Sequence, residues 1–148
     1  KAEDGEGGRV AAGGEGEGPR ARILVVEDDP GVRRFCARVL GTAGYEVVEA
    51  EDGASALAIL ETKGNIDLLF TDILMPGGMD GWELAQRAQG MVPGLKVLFA
   101  SANPEMALES EIEGSRAPRN VDLVRKPYGK DEIIRRVSHA LEAPGDEP

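Results

Sequence analysis

Side chains that could do chemistry follow each of several short apolar segments in this 148-residue chain. They comprise four acids, one hydroxyl and one lysine: Glu27, Asp28, Asp29, Asp72, Ser101 and Lys126. Carboxylates brought together repel each other, and a hard divalent cation such as Mg²⁺, which prefers oxygen ligands, relieves that repulsion. An ammonium and a hydroxyl beside them are suitable partners for phosphoryl oxygens. Together these residue types predict phosphoryl transfer onto a carboxylate, assisted by Mg²⁺.

The elements that must position these residues alternate in hydrophobic period. Short apolar runs predict five strands, at residues 23–26, 45–48, 66–71, 95–100 and 121–124. Helical spacing predicts five helices, the first two beginning after Asp29 and at Asp52 and the others at 81–89, 104–112 and 131–141. Asp29, followed by Pro30, is typical of a helix N-cap. This order predicts an α/β fold with a parallel sheet and helices on both faces.

The predicted fold is a flavodoxin-like, doubly wound (βα)₅ three-layer sandwich with strand order 2-1-3-4-5. In such sheets, ligands bind beyond the carboxyl ends of the strands, near the point where the strand order reverses. Strands 1, 3, 4 and 5 are then neighbours, so the polar residues that follow them are expected to meet at one edge.

Four segments carry a resemblance to a known family. Residues 23–30 (ILVVEDDP), 69–76 (LFTDILMP), 97–102 (VLFASA) and 126–128 (KPY) resemble the receiver domain of two-component response regulators. The resemblance covers residues 22–142, and its four motifs occur in order, each at a predicted strand end. It implies a domain that promotes its own phosphorylation and slow dephosphorylation, with a histidine kinase or a histidine phosphotransfer protein as partner.

The resemblance also implies roles for single residues. Asp72 is expected to be the phosphoacceptor, Asp28 a direct Mg²⁺ ligand, and Glu27 a ligand acting through water. The main-chain carbonyl of Leu74 would supply a further ligand. Lys126, with a cis peptide bond to Pro127, would bind a phosphoryl oxygen. Ser101 would sense the phosphoryl group.

Two departures from the family pattern bear on the output of the domain. Leu123 stands three residues before Lys126, where the family usually has an aromatic switch residue. Residues 75–81 (MPGGMDG) contain one residue more than the commoner turn. This longer turn and the glycine-rich residues before 21 are similar to receiver domains at the ends of hybrid sensor histidine kinases. Leu123 and the lack of an evident basic patch favour a relay over a transcriptional switch, with docking on the first helix near Val32, Phe35, Arg33 and Arg34.

Other classes share single features with this chain. A free-standing response regulator acting by protein–protein interaction remains an alternative. A flavodoxin-like flavin carrier would need a hydroxyl- and glycine-rich loop where residues 27–30 (EDDP) stand. A haloacid dehalogenase-type phosphatase would place Asp-x-Asp after strand 1 and would need a cap for which this length leaves no room. A pseudo-receiver with a dead site would lack part of the polar set.

Composition defines the domain and its setting. Residues 1–20 contain seven glycines and five acids, and they are expected to form a flexible tail or linker. Residues 21–143 would form the domain and 144–148 a second tail, and the first residue, Lys1, suggests excision from a longer protein.

A net charge of −10 argues against nucleic-acid binding. One cysteine, Cys36, and short apolar runs predict a cytoplasmic domain without direct membrane contact. The relay interpretation adds the expectation of a monomer.

Overall fold

The computed structural model describes residues 21–63, 65–75, 78–102 and 122–142. Strands and helices alternate along these ranges. The strands are β1 (Arg22–Val26), β2 (Glu46–Ala50), β3 (Leu68–Asp72), β4 (Lys96–Ser101) and β5 (Leu123–Arg125). The helices are α1 (Pro30–Thr42), α2 (Gly53–Lys63), α3 (Gly81–Met91) and α4 (Lys130–Glu142). Both predicted tails and the predicted helix at 104–112 lie outside the described residues.

The five strands form one parallel sheet in the order β2-β1-β3-β4-β5. This is the predicted order 2-1-3-4-5, and the α/β fold class is confirmed. The strand order reverses between β1 and β3, which lie side by side although β2 separates them in the sequence. Ligands bind at this place in open parallel sheets.

The core has two layers because strand side chains alternate between the faces of the sheet. Leu24 and Val26 pack with α2 and α3 on one face. Ile23 and Val25 pack with α1 and α4 on the other. All five residues of β3 are buried, as expected for a central strand covered on both sides.

The predicted strand boundaries differ from the structure by one or two residues, and two of the differences have a clear physical reason. The apolar run at 66–71 predicts a strand from Ile66, which is buried, but the ladder of β3 begins at Leu68. At Asp67 the carboxylate accepts a hydrogen bond from the Arg22 N–H, 2.8 Å away. Strand β2 extends to Ala50, beyond the predicted end at 48, because an edge strand tolerates the exposed Glu49. An apolar pattern reports burial, whereas a ladder is defined by backbone pairing.

Candidate functional site

Two neighbouring strands bring the predicted acids to one edge of the sheet. Glu27 follows β1 directly, and Asp72 is the last residue of β3. One carboxylate oxygen from each of Glu27, Asp28 and Asp72 lies within 4.8 Å of the other two. Glu27 and Asp72 are buried, whereas Asp28 is exposed. The cluster therefore has two buried carboxylates and one that is open to solvent.

Lys126 holds the two buried acids together. Its Nζ lies 3.0 Å from Oε1 of Glu27 and 2.8 Å from Oδ1 of Asp72. A second hydrogen bond reaches Oδ2 of Asp72 at 3.1 Å. The ammonium thus supplies the counter-charge that two buried carboxylates require.

Burial is the largest influence on the pKa of Asp72. It raises the pKa of Asp72 to about 7, although the hydrogen bond from Lys126 opposes the rise and the charge of Glu27 adds to it. Burial alone would lower the pKa of Lys126, but its bonds to Asp72 and Glu27 outweigh this and keep that pKa above its usual value. The lysine therefore stays charged while it contacts Asp72.

The loop between β1 and α1 is shaped by its own side chains. Oδ1 of Asp29 accepts hydrogen bonds from the N–H groups of Gly31 and Val32, at 2.8 and 3.2 Å. The predicted N-cap role of Asp29 is thereby confirmed, and this carboxylate is occupied away from the acidic cluster. Oε2 of Glu27 accepts from the Asp29 N–H at 3.1 Å, which leaves Oε1 for Lys126.

The other predicted residues lie around this centre. Ser101 ends β4, is 5% exposed, and its main-chain carbonyl accepts a hydrogen bond from the Lys126 N–H at 2.9 Å. The Lys126–Pro127 peptide bond is cis, which confirms that part of the prediction. Leu74 lies two residues beyond Asp72 with 74% of its surface exposed.

The contact between Cys36 and Tyr128 was not predicted from the sequence. The Sγ atom of Cys36 lies 3.1 Å from the Tyr128 hydroxyl, and the Tyr128 ring packs against Phe70 with centroids 5.9 Å apart. These contacts fasten the segment that carries Lys126 to α1 and β3. No sequence signal joins two residues 92 positions apart, and the apolar stripe of α1 indicated only that Cys36 is buried, which is confirmed.

The buried thiol of Cys36 should resist alkylation. Burial raises its pKa to about 11, so at pH 8 the reactive thiolate is scarce and sterically shielded. We expect iodoacetamide at pH 8 to leave the native protein unmodified and to label it fully in urea. Mass spectrometry of the intact chain measures this. Rapid labelling of the folded protein would contradict the described packing of Cys36.

The acidic cluster meets the requirements of a divalent cation. Three carboxylates converge from one loop and one strand end, and their oxygens are the ligands that Mg²⁺ prefers. The exposure of Asp28 leaves space for the waters that Mg²⁺ retains.

Comparison with known proteins decides the family. A family model described as the response regulator receiver domain matches residues 23–138. The chain belongs to this family. Among relatives of the receiver domain, the response regulator receiver protein CpdR of Brucella abortus (strain 2308) is 39% identical over 120 residues, which cover 81% of this chain and 96% of CpdR.

Hybrid kinases also contain similar sequences. The sensor kinase CckA of Brucella abortus (strain 2308) is 32% identical over 123 residues, which cover 82% of this chain but 13% of CckA. A crystal structure of the receiver domain from the hybrid histidine kinase CckA superimposes with a TM-score of 0.66 at 38% identity, covering 82% of this chain and 100% of that one. The predicted likeness to hybrid-kinase receivers is confirmed.

Proposed function

We propose that this receiver domain accepts a phosphoryl group on Asp72 from a phosphohistidine, with Mg²⁺ held by Glu27, Asp28, Asp72 and the main-chain carbonyl of Leu74. The observation that carries the proposal is the double contact of Lys126. Its ammonium touches Asp72 and Glu27 at the point where three carboxylates converge. A purely structural ion pair would need neither the exposed third acid nor a position at the strand-order reversal.

The residues divide the chemistry among them. An oxygen of Asp72 attacks the phosphorus while the bond from phosphorus to the imidazole nitrogen breaks, and the electron pair of that bond stays on the leaving imidazole. Bound Mg²⁺ would supply charge neutralisation for the phosphoryl oxygens. Lys126 is already directed at Asp72 and would donate to one of these oxygens. The Ser101 hydroxyl would donate to another.

A small-molecule phosphodonor tests this function. Acetyl phosphate with Mg²⁺ should add the mass of one phosphoryl group to the intact chain, and a chelator should prevent the addition. A flavin carrier or a pseudo-receiver would gain no mass. A haloacid dehalogenase-type phosphatase would hydrolyse the donor with fast turnover. Absence of the adduct in the presence of Mg²⁺ would contradict the proposal.

Substitution of Asp28 tests the proposed cation site. Asp28→Asn should weaken Mg²⁺ binding by more than about tenfold, because loss of a direct ligand costs more than loss of a residue that merely orients one. A Mg²⁺ titration followed by amide chemical shifts measures the dissociation constant. Glu51→Gln removes one negative charge from an exposed residue after β2 and serves as the matched control. Equal binding by Asp28→Asn and the control would refute the ligand assignment.

The partner is proposed to dock on α1 beside the acceptor. An open cleft of about 420 Å³ is lined there by Val32, Phe35, Pro127 and Tyr128 and reaches Lys126. An apolar helical surface carrying the phosphohistidine would fit this cleft. One part of the predicted docking surface needs correction. Arg33 donates hydrogen bonds to the Glu27 carbonyl and to the Glu49 carboxylate, so of the two adjacent arginines only Arg34 is exposed.

A relay within a hybrid sensor histidine kinase is the proposed context, and a free-standing regulator is the alternative. Position 123 is a leucine that packs against the core. A leucine has no aromatic ring that could change rotamer on phosphorylation. The likeness to CckA supports the relay, whereas the match over nearly all of CpdR supports the alternative. In a relay, we expect the domain to remain a cytoplasmic monomer without affinity for nucleic acid. Each helix in the described ranges is too short or too polar to span a bilayer.

A further inference from the structure

The Arg33 side chain is mostly buried and contacts the backbone of the loop that carries the acidic cluster. Its Nη1 donates a hydrogen bond to the main-chain carbonyl of Glu27 at 2.8 Å, and its Nε donates to Glu49 Oε1 at 3.3 Å. Only 17% of the side chain is exposed. The neighbouring Arg34 is exposed, so the two arginines of α1 occupy different environments.

The Glu27 carbonyl matters because of the residue that follows it. A peptide group is planar, so the direction of this carbonyl determines where the Cα of Asp28 lies. The Glu27 N–H is bonded to the Ala50 carbonyl at 3.1 Å, and Arg33 holds the carbonyl side. Within the described part of the chain, no hydrogen bond or ion pair holds the Asp28 carboxylate itself. Its position therefore depends on the backbone that Arg33 fastens.

We infer that Arg33 is a positioning residue that orients the Glu27–Asp28 peptide so that Asp28 faces the cation site. The inference rests on the proposed function, in which Asp28 is a ligand of Mg²⁺. Residues that orient metal ligands without touching the metal typically contribute strongly to affinity. The contact with Glu49 would secure the guanidinium against β2, with a smaller effect because that carboxylate is partly exposed.

The sign of the effect separates positioning from simple electrostatics. Arg33→Met removes a positive charge near a cation site, and by charge alone Mg²⁺ should then bind more tightly. If Arg33 positions Asp28, the same substitution should weaken binding roughly tenfold. Arg34→Met removes the same charge from the next residue of α1, without the carbonyl contact, and should leave affinity unchanged or slightly improved. Glu49→Gln should leave it within about twofold of wild type.

The test measures cation affinity without any phosphoryl transfer. Free Mn²⁺ is counted by electron paramagnetic resonance while Mg²⁺ competes, for the wild type, Arg33→Met, Arg34→Met and Glu49→Gln. Melting curves in a chelator establish that each variant is folded. Should Arg33→Met fail to fold, Arg33→Gln is measured against Arg34→Gln, and the same two outcomes apply.

Weaker binding in the Arg33 variant alone would support the inference. Affinity in that variant equal to or tighter than in the wild type would overturn it and leave the proposed function standing. A wild-type domain that binds neither Mn²⁺ nor Mg²⁺ would overturn the proposed function and the inference with it.

Discussion

Replacing Lys126 by alanine should slow phosphorylation of the domain about a hundredfold, as expected when a preorganised charged donor to the transferring group is lost. The ammonium lies within 3.0 Å of Glu27 and 2.8 Å of Asp72, so its charge is directed at the proposed phosphoacceptor. Mg²⁺ binding should stay as strong or become stronger, because the variant site is more negative. The rate with acetyl phosphate and the Mg²⁺ dissociation constant are measured on the same preparation.

A nearby lysine provides the control for this substitution. Lys130 is exposed at the start of α4, and Lys130→Ala removes an equal charge from the same region. Its phosphorylation rate should match that of the wild type. If Lys126→Ala were phosphorylated as fast as Lys130→Ala, the role assigned to Lys126 would be wrong.

Replacing Gly81 by alanine should destabilise the domain by about 3 kcal/mol, the upper part of the range for overpacking a tight contact. A Cβ atom there would overlap the main-chain carbonyl oxygen of Asp72 and lie 2.8 Å from the Cα of Ile73. Both neighbours are backbone atoms, so either α3 or the end of β3 must move. The loss corresponds to a Tm decrease of about 10 °C.

Gly90 on the same helix is the matched control, since a Cβ there would meet no atom within 4 Å. Gly90→Ala should leave the Tm unchanged or raise it slightly, because alanine favours helix by about 1 kcal/mol over glycine. Equal melting temperatures for the two variants would show that α3 does not press on the end of β3. The Gly81 variant should also phosphorylate more slowly, because the displaced atoms belong to Asp72.

The fold could be predicted because its local signals agree. Buried parallel strands are continuous apolar runs, and β3, with every residue buried, leaves little room for another interpretation. The acidic site could be predicted because each polar residue lies at or just after the carboxyl end of a strand, and these ends share one edge of the sheet. Asp72 illustrates the remaining error: predicted just beyond the strand, it pairs with Ala100 as the last rung of the ladder.

The sequence could not predict contacts that depend on the direction of long side chains or on packing between distant segments. Arg33 and Arg34 are adjacent and identical in type, yet one bonds to the Glu27 carbonyl and the other is exposed. The helical spacing of α1 gives the direction of each Cβ, but the end of an arginine is set by the loop beneath it. The Cys36–Tyr128 contact likewise arises from packing between distant segments.

Chemical mapping of the phosphoryl group tests the central claim most directly. After reaction with acetyl phosphate and Mg²⁺, reduction with borohydride converts an aspartyl phosphate to homoserine, which peptide mass spectrometry locates. We predict that homoserine appears at position 72 alone and that Asp72→Asn, which keeps the shape of the side chain, forms no adduct. Homoserine at Asp28, or an adduct that persists in Asp72→Asn, would contradict the assignment of Asp72 as the phosphoacceptor.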